Sequence, residues 1–277
     1  MLHVLERAIR AGVWAGSLLV IVAYLLSSIS EPQSKETALS SQSYSEDPLQ
    51  ARTEHPFGPE EPDSTPVFTF AQWSDRLGTW WFSDLDASSS SYREGEAVPF
   101  MLRIDNGAAG ATYTITIRFD CAQGARLGYD FLSRYDRDRG TAPALAAGGP
   151  GTSAADASLA VPDNPAFTFD DGERDRSFSL WGGYFANAVQ EPEPDAACLG
   201  DGTGTTQGMY TLTVRALADS VFLLWGGHLA SGLDWGEGHG AASARGLLHR
   251  QVMSAAADEG GWEGQAGIQA EAIHPPN

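Results

Sequence analysis

The sequence predicts an all-β protein, an antiparallel β-sandwich of jelly-roll or immunoglobulin-like type, preceded by an N-terminal apolar helix and a disordered linker. From Pro66 onward, apolar and polar residues alternate repeatedly with the period of half-buried strands. Residues typical of turns separate these segments, and no sustained helical period occurs before Ala241. Many short strands with turn signals between them are typical of sandwiches.

Residues 1–30 are predicted to be a signal peptide or a membrane anchor helix. Arg7 and Arg10 precede an apolar run over residues 11–29, and a charged segment followed by an apolar one is the pattern of export signals. The arginines should remain in the cytoplasm, so that everything after the run faces outward. We therefore expect an extracytoplasmic protein.

The sequence leaves open whether this segment is cleaved. Ser28 and Ser30 are small residues at the positions that cleavage after Ser30 requires. The apolar run is also just long enough to span the hydrocarbon core of a bilayer, and a retained helix would anchor the protein to the cytoplasmic membrane through residues 11–29. Cleavage would make the protein secreted or periplasmic. No cysteine follows the run, which excludes a lipoprotein anchor.

Three further segments complete the predicted organisation. Residues 31–65 are rich in Ser, Glu, Pro, Gln and Thr and sparse in apolar residues, so we expect a disordered linker. Residues 66–240 form the predicted β-sandwich domain. Residues 241–277 are predicted to be a short helix and a disordered tail, because the stretch is rich in Gly, Ala and Glu and ends in prolines.

The clearest strand signals lie near the start of the domain. Ala97–Asp105 and Thr112–Phe119 both alternate strictly, and the turn-forming pair Asn106-Gly107 lies between them. The pattern predicts a β-hairpin. Further predicted strands are Thr79–Leu85, the hairpin from Phe167 through Asp171-Gly172 to Leu180, Tyr210–Ala216, and Val221–Trp225 as a strand covered on both faces. Predicted loops are Gly140–Ala160, expected to be mobile, and Gln190–Gln207.

The charge of the chain limits its partners. The formal net charge is -19 and the sequence pI is about 4.5. Nucleic acid is excluded as a partner because its phosphates would be repelled. The same carboxylates are available to divalent cations.

The two cysteines, Cys121 and Cys198, are predicted to form one disulfide, since an exported protein meets an oxidising environment. Closing so long a loop would stabilise the fold by roughly 4 to 5 kcal/mol. The alternative is two buried free thiols.

The stretch from Leu224 to Gly236, Leu-Trp-Gly-Gly-His-Leu-Ala-Ser-Gly-Leu-Asp-Trp-Gly, is the sharpest local feature. An earlier Leu-Trp-Gly-Gly-Tyr at residues 180–184 resembles its beginning. Glycine pairs after a strand tryptophan permit a bulge or a close backbone approach. We interpret both as sandwich corners whose indoles cap the core, or as a binding site; the candidate residues are Trp181, Trp225, His228, Asp234 and Trp235. A transition-metal site at His228, Asp234 and His239 is an alternative, although the spacing matches no closed zinc motif.

Asp130, Asp136 and Asp138 form an acidic cluster that is a candidate calcium site. Calcium binds several carboxylate and carbonyl oxygens, often in acidic loops. Surface ion pairs are the alternative, because Arg134, Arg137 and Arg139 are interleaved with the aspartates. No other cofactor is predicted.

The sequence contains no motif that names a reaction: the Gly-x-Ser-x-Gly elbow, the His-Glu-x-x-His pair and a phosphate-binding loop are all missing. A carboxylate pair for glycoside hydrolysis stays open, because spacing in three dimensions decides it. We expect no enzyme activity.

Several motifs in order resemble an uncharacterised β-sandwich domain of bacterial secreted and cell-surface proteins. The motifs are Tyr-Arg-Glu-Gly-Glu-Ala-Val-Pro at 92–99, Thr-Tyr-Thr-Ile-Thr-Ile at 112–117, Tyr-Asp-Phe-Leu at 129–132, and Trp-Gly-Gly-His-Leu-Ala-Ser at 225–231 with Asp-Trp-Gly at 234–236. The resemblance spans about residues 79–240. It implies a surface module but no activity, ligand or site residue.

The predicted function is therefore a non-catalytic binding or surface-structural role outside the cytoplasm. The expected partners are an unknown extracellular protein or glycan, and the membrane if the N-terminal segment is retained. The alternatives are an extracytoplasmic carbohydrate-active hydrolase with paired carboxylates and a calcium-dependent adhesion module.

Overall fold

A computed structural model of the chain describes residues 65–162, 176–189, 205–257 and 261–276. All of these residues belong to one compact unit that spans residues 59–277. Within them, no helix is both long enough and apolar enough to cross a membrane. The predicted export segment and the predicted linker lie outside the described residues, apart from Thr65.

The described strands form two antiparallel sheets. Sheet A has, in spatial order, β2 (Thr79–Trp81), β1 (Val67–Ser74), β3 (Ala97–Asp105), β11 (Val221–Leu229), β8 (Ser177–Trp181) and β7 (Ala157–Ala160), with β6 (Tyr129–Ser133) also paired to β11. Sheet B has β13 (Gly261–Gln269), β12 (Leu248–Ala256), β4 (Thr112–Gln123), β10 (Thr205–Ala216) and β9 (Gly183–Phe185), with β5 (Arg126–Leu127) paired to β4. Helices are short: α1 (Ala142–Leu145), α2 (Gly232–Trp235), and single 3-10 turns at Ala241–Ser243 and Ala270–Ala272.

One buried apolar core lies between the sheets. Alternate residues of each strand point toward it, as the period of two requires. In sheet A the rings of Phe70, Phe100 and Trp225 stack across three neighbouring strands, with centroids 5.8 and 5.9 Å apart. Ile115 and Ile117 of sheet B belong to the same cluster. The prediction of an all-β fold with antiparallel sheets is confirmed.

The predicted hairpin between Ala97–Asp105 and Thr112–Phe119 is wrong, although both strands exist. β3 pairs with β1 and β11 in sheet A, whereas β4 pairs with β10 and β12 in sheet B. The connection therefore passes from one sheet to the other. Asn106 has a positive φ of 56°, and the Gly107 N–H donates to the Asp219 carbonyl at 3.0 Å. The alternating pattern cannot distinguish a hairpin within one sheet from a connection between two sheets, because a strand of either sheet turns its apolar side toward the same core.

The predicted helix and disordered tail over residues 241–277 are also wrong. β12 lies between β4 and β13 in sheet B, and it pairs with β13 along its full length. The inward residues of β12 are His249, Gln251, Met253 and Ala255, which are all buried. Two of them are polar and one is small, so the apolar alternation that marks a strand is missing from the sequence.

The segment predicted as a mobile loop, Gly140–Ala160, contains α1 and β7 and covers the outer face of sheet A. The Trp80 indole N–H donates to the Pro143 carbonyl, and the Trp181 indole N–H donates to the Ser153 carbonyl, both at 3.0 Å. These bonds fix an Ala/Gly/Ser-rich segment that has few apolar side chains of its own. The first strand of the predicted second hairpin, from Phe167 to Gly172, lies outside the described residues.

Candidate functional site

Three of the motifs singled out in the sequence meet at one end of sheet A. β11 carries the Trp-Gly-Gly-His motif and pairs on one side with β3, which follows the Tyr-Arg-Glu-Gly motif, and on the other side with β6. The Gly95 N–H donates to the Leu229 carbonyl at 2.8 Å, and the Leu229 N–H donates to the Glu96 carbonyl at 2.9 Å. Residues far apart in the chain thus form one corner.

A β-bulge directs an acidic side chain into this corner. Phe131 lies opposite His228 and Tyr129 lies opposite Leu229, so Asp130 is an extra residue without a counterpart on β11. An extra residue breaks the strict alternation and re-aims a side chain. Asp130 consequently lies on the same side as His228.

Asp130 and His228 form a buried pair. The distance from His228 Nδ1 to Asp130 Oδ1 is 2.6 Å, and the Trp235 indole N–H donates to Asp130 Oδ2 at 3.2 Å. Asp130 is 1% and His228 3% exposed. A buried carboxylate is tolerated only with such partners, and here both of its oxygens accept a hydrogen bond.

The imidazole of His228 is also fixed by stacking. It lies parallel to the Phe131 ring, with centroids 4.1 Å apart and an interplanar angle of 10°. The guanidinium of Arg176 lies 4.1 Å from the centroid of that same Phe131 ring. A carboxylate on Nδ1 sets the tautomer and orients Nε2, as in histidines that act as bases or metal ligands. Such a pair also serves simply to hold two strands together.

Glu94 holds the turn that follows β11. Its carboxylate accepts hydrogen bonds from the backbone N–H groups of Gly232 and Ala242, both at 2.8 Å. The Ser231 hydroxyl accepts from the Leu233 N–H at 3.1 Å and caps α2. A Cβ atom at Gly240 would overlap the Glu94 carboxylate, so the close approach requires glycine there. The corner is thus tied down by side-chain to backbone bonds.

The two tryptophans proposed as corner residues are buried. Trp225 is 0% and Trp181 5% exposed, and the Trp225 indole N–H donates to Gln251 Oε1 at 2.8 Å. They pack in the protein and do not present a flat aromatic face to solvent.

The other predicted metal ligands do not converge. Asp234 and His239 are exposed, and His239 Nδ1 lies 2.7 Å from the Ala125 carbonyl. In the described part of the chain, no group of three or more His, Cys, Asp or Glu side chains is placed to hold a metal ion.

The aspartates of the predicted calcium site have separate partners. Asp136 binds Arg134 at 2.6 Å, and Asp138 accepts a hydrogen bond from the Ala97 N–H at 2.7 Å. Asp130 is engaged with His228, as described above. Asp138 also lies 3.7 Å from Arg137, so the ion-pair interpretation applies to both Asp136 and Asp138, while calcium binding remains a prediction.

Cys121 is fully buried at the end of β4. Its predicted partner, Cys198, lies outside the described residues. The disulfide therefore stays a prediction.

A groove on the outer face of sheet A was not predicted from the sequence. It has a volume of about 880 Å³ and lies between residues 134–155 and the strands β7 and β8. Tyr135 and Trp181 line it together with the Arg134–Asp136 ion pair and Arg176. Six residues with hydroxyl groups also line it: Thr141, Thr152, Ser153, Ser158, Ser177 and Ser179. Because most of these residues come from a segment without apolar periodicity, sequence patterns could not reveal it.

The phenol of Tyr135 remains a hydrogen-bond donor in this groove. Burial raises the pKa of its hydroxyl, and the neighbouring Asp136 carboxylate raises it further, while Arg134 opposes the shift. The groove thus presents a protonated phenol beside hydroxyls and one ion pair. The guanidinium of Arg176 lines the groove as well, so the lining as a whole is polar and rich in hydrogen-bond donors.

No protein-family model and no curated protein sequence matches the chain. The function must therefore be argued from the geometry of the corner and the groove.

Proposed function

We propose that the protein is an exported β-sandwich module, of jelly-roll or immunoglobulin-like type, that binds a short glycan in the groove on the outer face of sheet A. The observation that carries the proposal is the groove itself. Its volume of about 880 Å³ falls within the range of ligand sites, roughly 300 to 1,000 Å³.

The lining has the chemistry that a sugar requires. Sugar rings combine apolar C–H faces with a rim of hydroxyl groups, and an aromatic side chain with a polar edge suits both. Tyr135 and Trp181, which are 7% and 5% exposed, supply a small aromatic part of the lining, and Ser158, Ser177 and Ser179 supply small hydroxyls. The planar Arg134–Asp136 pair offers donors and acceptors in a fixed geometry.

Binding without hydrolysis is favoured over the carbohydrate-active hydrolase. Glycoside hydrolysis requires two carboxyl groups roughly 5 to 10 Å apart. Among the described residues that line the groove, Asp136 is the sole carboxylate, and it is engaged with Arg134. A calcium-dependent adhesion module receives no comparable support, because its proposed aspartates have separate partners.

The location outside the cytoplasm is part of the proposal and is supported by the sequence. The apolar run over residues 11–29 would direct export, and residues 31–65 would hold the domain away from the membrane if the run is retained. The acidic surface is compatible with a secreted protein and disfavours nucleic acid. Protease treatment of intact cells should remove the domain while cytoplasmic markers survive.

A bulky residue in the groove tests the binding site. Ser158 lies on the edge strand β7 and is exposed in the groove, so Ser158→Trp should fill it without disturbing the core. A glycan array would first identify a ligand, and calorimetry would then compare the variants. We expect Ser158→Trp to weaken binding at least tenfold.

Thr114→Trp is the matched control, because Thr114 is exposed on the outer face of sheet B. It should bind as the unaltered protein does. Equal binding by Ser158→Trp would place the ligand elsewhere, and a protein that binds no glycan on the array would overturn the glycan assignment.

A further inference from the structure

The core contains a group of polar side chains that are fully buried, which we call the interior polar cluster. Its members are Gln72 on β1, Tyr129 on β6, and His249 and Gln251 on β12, and each is 0% exposed. They come from both sheets and share the space between them. None belongs to the groove or to the Asp130–His228 pair.

Three of these side chains, Tyr129, His249 and Gln251, are neighbours. Gln72 lies apart from them, because the Gly267 carbonyl to which it donates also accepts from the Leu85 N–H, on the edge of β13 away from β12. The Tyr129 and His249 rings are 6.4 Å apart, edge to face.

The inner side of Gly227 connects Tyr129 and Gln251. A Cβ atom there would lie 2.9 and 3.0 Å from two carbons of the Tyr129 ring and would overlap Gln251 Nε2. Tyr129, His249 and Gln251 therefore border one region of the core.

The orientation of each amide follows from its partners. Gln72 Nε2 donates to the carbonyls of Ser83 and Gly267 at 2.7 and 2.6 Å, which leaves Oε1 as the unpaired atom. Gln251 Oε1 accepts from the indole N–H of Trp225, a group that can only donate, and this leaves Nε2 unpaired. The cluster thus retains one acceptor and one donor from its glutamines.

The tautomer of His249 follows in the same way. Its Nε2 lies 2.9 Å from the Ala241 carbonyl, which can only accept, so Nε2 carries the proton and Nδ1 is an unpaired acceptor. Burial lowers the pKa of His249, which keeps the ring neutral. The Tyr129 hydroxyl is unpaired as well, and it can both donate and accept.

We propose that three members of the interior polar cluster form a binding site for ordered internal water, with one or two molecules linking Gln251 Nε2, the Tyr129 hydroxyl and Nδ1 of His249. Buried polar groups in proteins are nearly always hydrogen-bonded, and an internal water usually makes about three such bonds. Water matches the mixed set because it donates and accepts. A metal cation does not, since the Gln251 N–H group would point toward it.

A crystal structure of the full chain, at a resolution that shows ordered water, tests the site directly. We expect water within hydrogen-bond distance of at least two of the three unpaired atoms of Tyr129, His249 and Gln251. If these side chains instead rotate to bond one another, or if no water lies beside any of the three atoms, the proposal is overturned.

Tyr129→Phe provides a second test in which the sign of the effect decides. If water binds the hydroxyl, the variant loses a hydrogen bond and its unfolding equilibrium constant rises about two- to tenfold. If the hydroxyl has no partner, removing it lowers that constant, which would contradict the proposal. Tyr92→Phe is the control, because the buried Tyr92 hydroxyl donates to the Trp73 carbonyl at 3.0 Å, and its loss should raise the constant.

Discussion

Replacing Gly227 by alanine should destabilise the fold strongly, because this glycine allows a close packing of the two sheets. The added Cβ would overlap Gln251 Nε2 and lie 2.9 and 3.0 Å from carbons of the Tyr129 ring. All of these atoms are buried, so they cannot move into solvent. Overpacking of a core costs about 1 to 3 kcal/mol.

A second contribution comes from the hydrogen bond that Gln251 makes. If Gln251 shifts away from the new methyl group, the Trp225 indole N–H loses its acceptor at 2.8 Å. An unpaired buried donor costs about 1 to 3 kcal/mol. Gln251 either stays in place and keeps the overlap or shifts and loses the hydrogen bond. The two costs therefore do not add fully, and we expect a total of about 2 to 4 kcal/mol.

Urea unfolding followed by tryptophan fluorescence measures this change, with an unchanged m-value showing that the unfolding reaction is the same. Gly261→Ala is the matched control: it lies on β13, and nothing is within 4 Å of its Cβ position. The control should be neutral, or more stable by up to about 1 kcal/mol. A loss below about 1 kcal/mol for Gly227→Ala would refute the packing argument.

Three further predictions concern other buried groups. Asp130→Ala should cost about 3 to 5 kcal/mol, because it leaves the buried His228 without its partner; a double-mutant cycle with His228→Ala should show strong coupling, and additive effects would argue against the pair. Because burial lowers the folded-state pKa of His249 below the ordinary value of about 6.5, the unfolded chain binds a proton that the folded protein does not, so stability should fall as pH drops below about 6.5. Unfolding curves from pH 7.5 to 5 measure this slope, which His249→Gln should reduce; an unchanged slope would contradict it. Reductant should lower the melting temperature if Cys121 and Cys198 are joined, by an amount corresponding to about 4 kcal/mol, whereas Cys121→Ser should then make the chain insensitive to reductant.

Strands near the start of the domain could be predicted because their inward residues are uniformly apolar. β3 and β4 are examples, with Val98, Phe100 and Leu102 in the first and Ile115 and Ile117 in the second facing the core. Their partners could not be predicted, since the alternation identifies the buried side of a strand but not the sheet to which it belongs. β12 was missed because the core accepts polar side chains there that are hydrogen-bonded or adjacent to other polar groups.

The residues of the corner could be singled out from the sequence, but the hydrogen bonds that join them could not. His228 and Trp235 were assigned to a candidate binding corner and Asp130 to a calcium site, yet the three side chains form one network. The bulge at Asp130 breaks the period that would have placed this residue on one face of β6. The groove depends on the path of the Gly140–Ala160 segment, which no local pattern specifies.

The place of β12 within sheet B has a consequence for the order in which the chain folds. β12 and β13 pair with each other and add to the side of β4 that β10 leaves free, so sheet B lacks these two strands until residues 248–269 are available. β11 likewise brings β3 together with β6 and β8. Pairings so distant in the chain form slowly, and the core cannot close until the last of these strands is available. If the proposed export begins before these strands are available, the chain would remain open during its passage and fold on the far side.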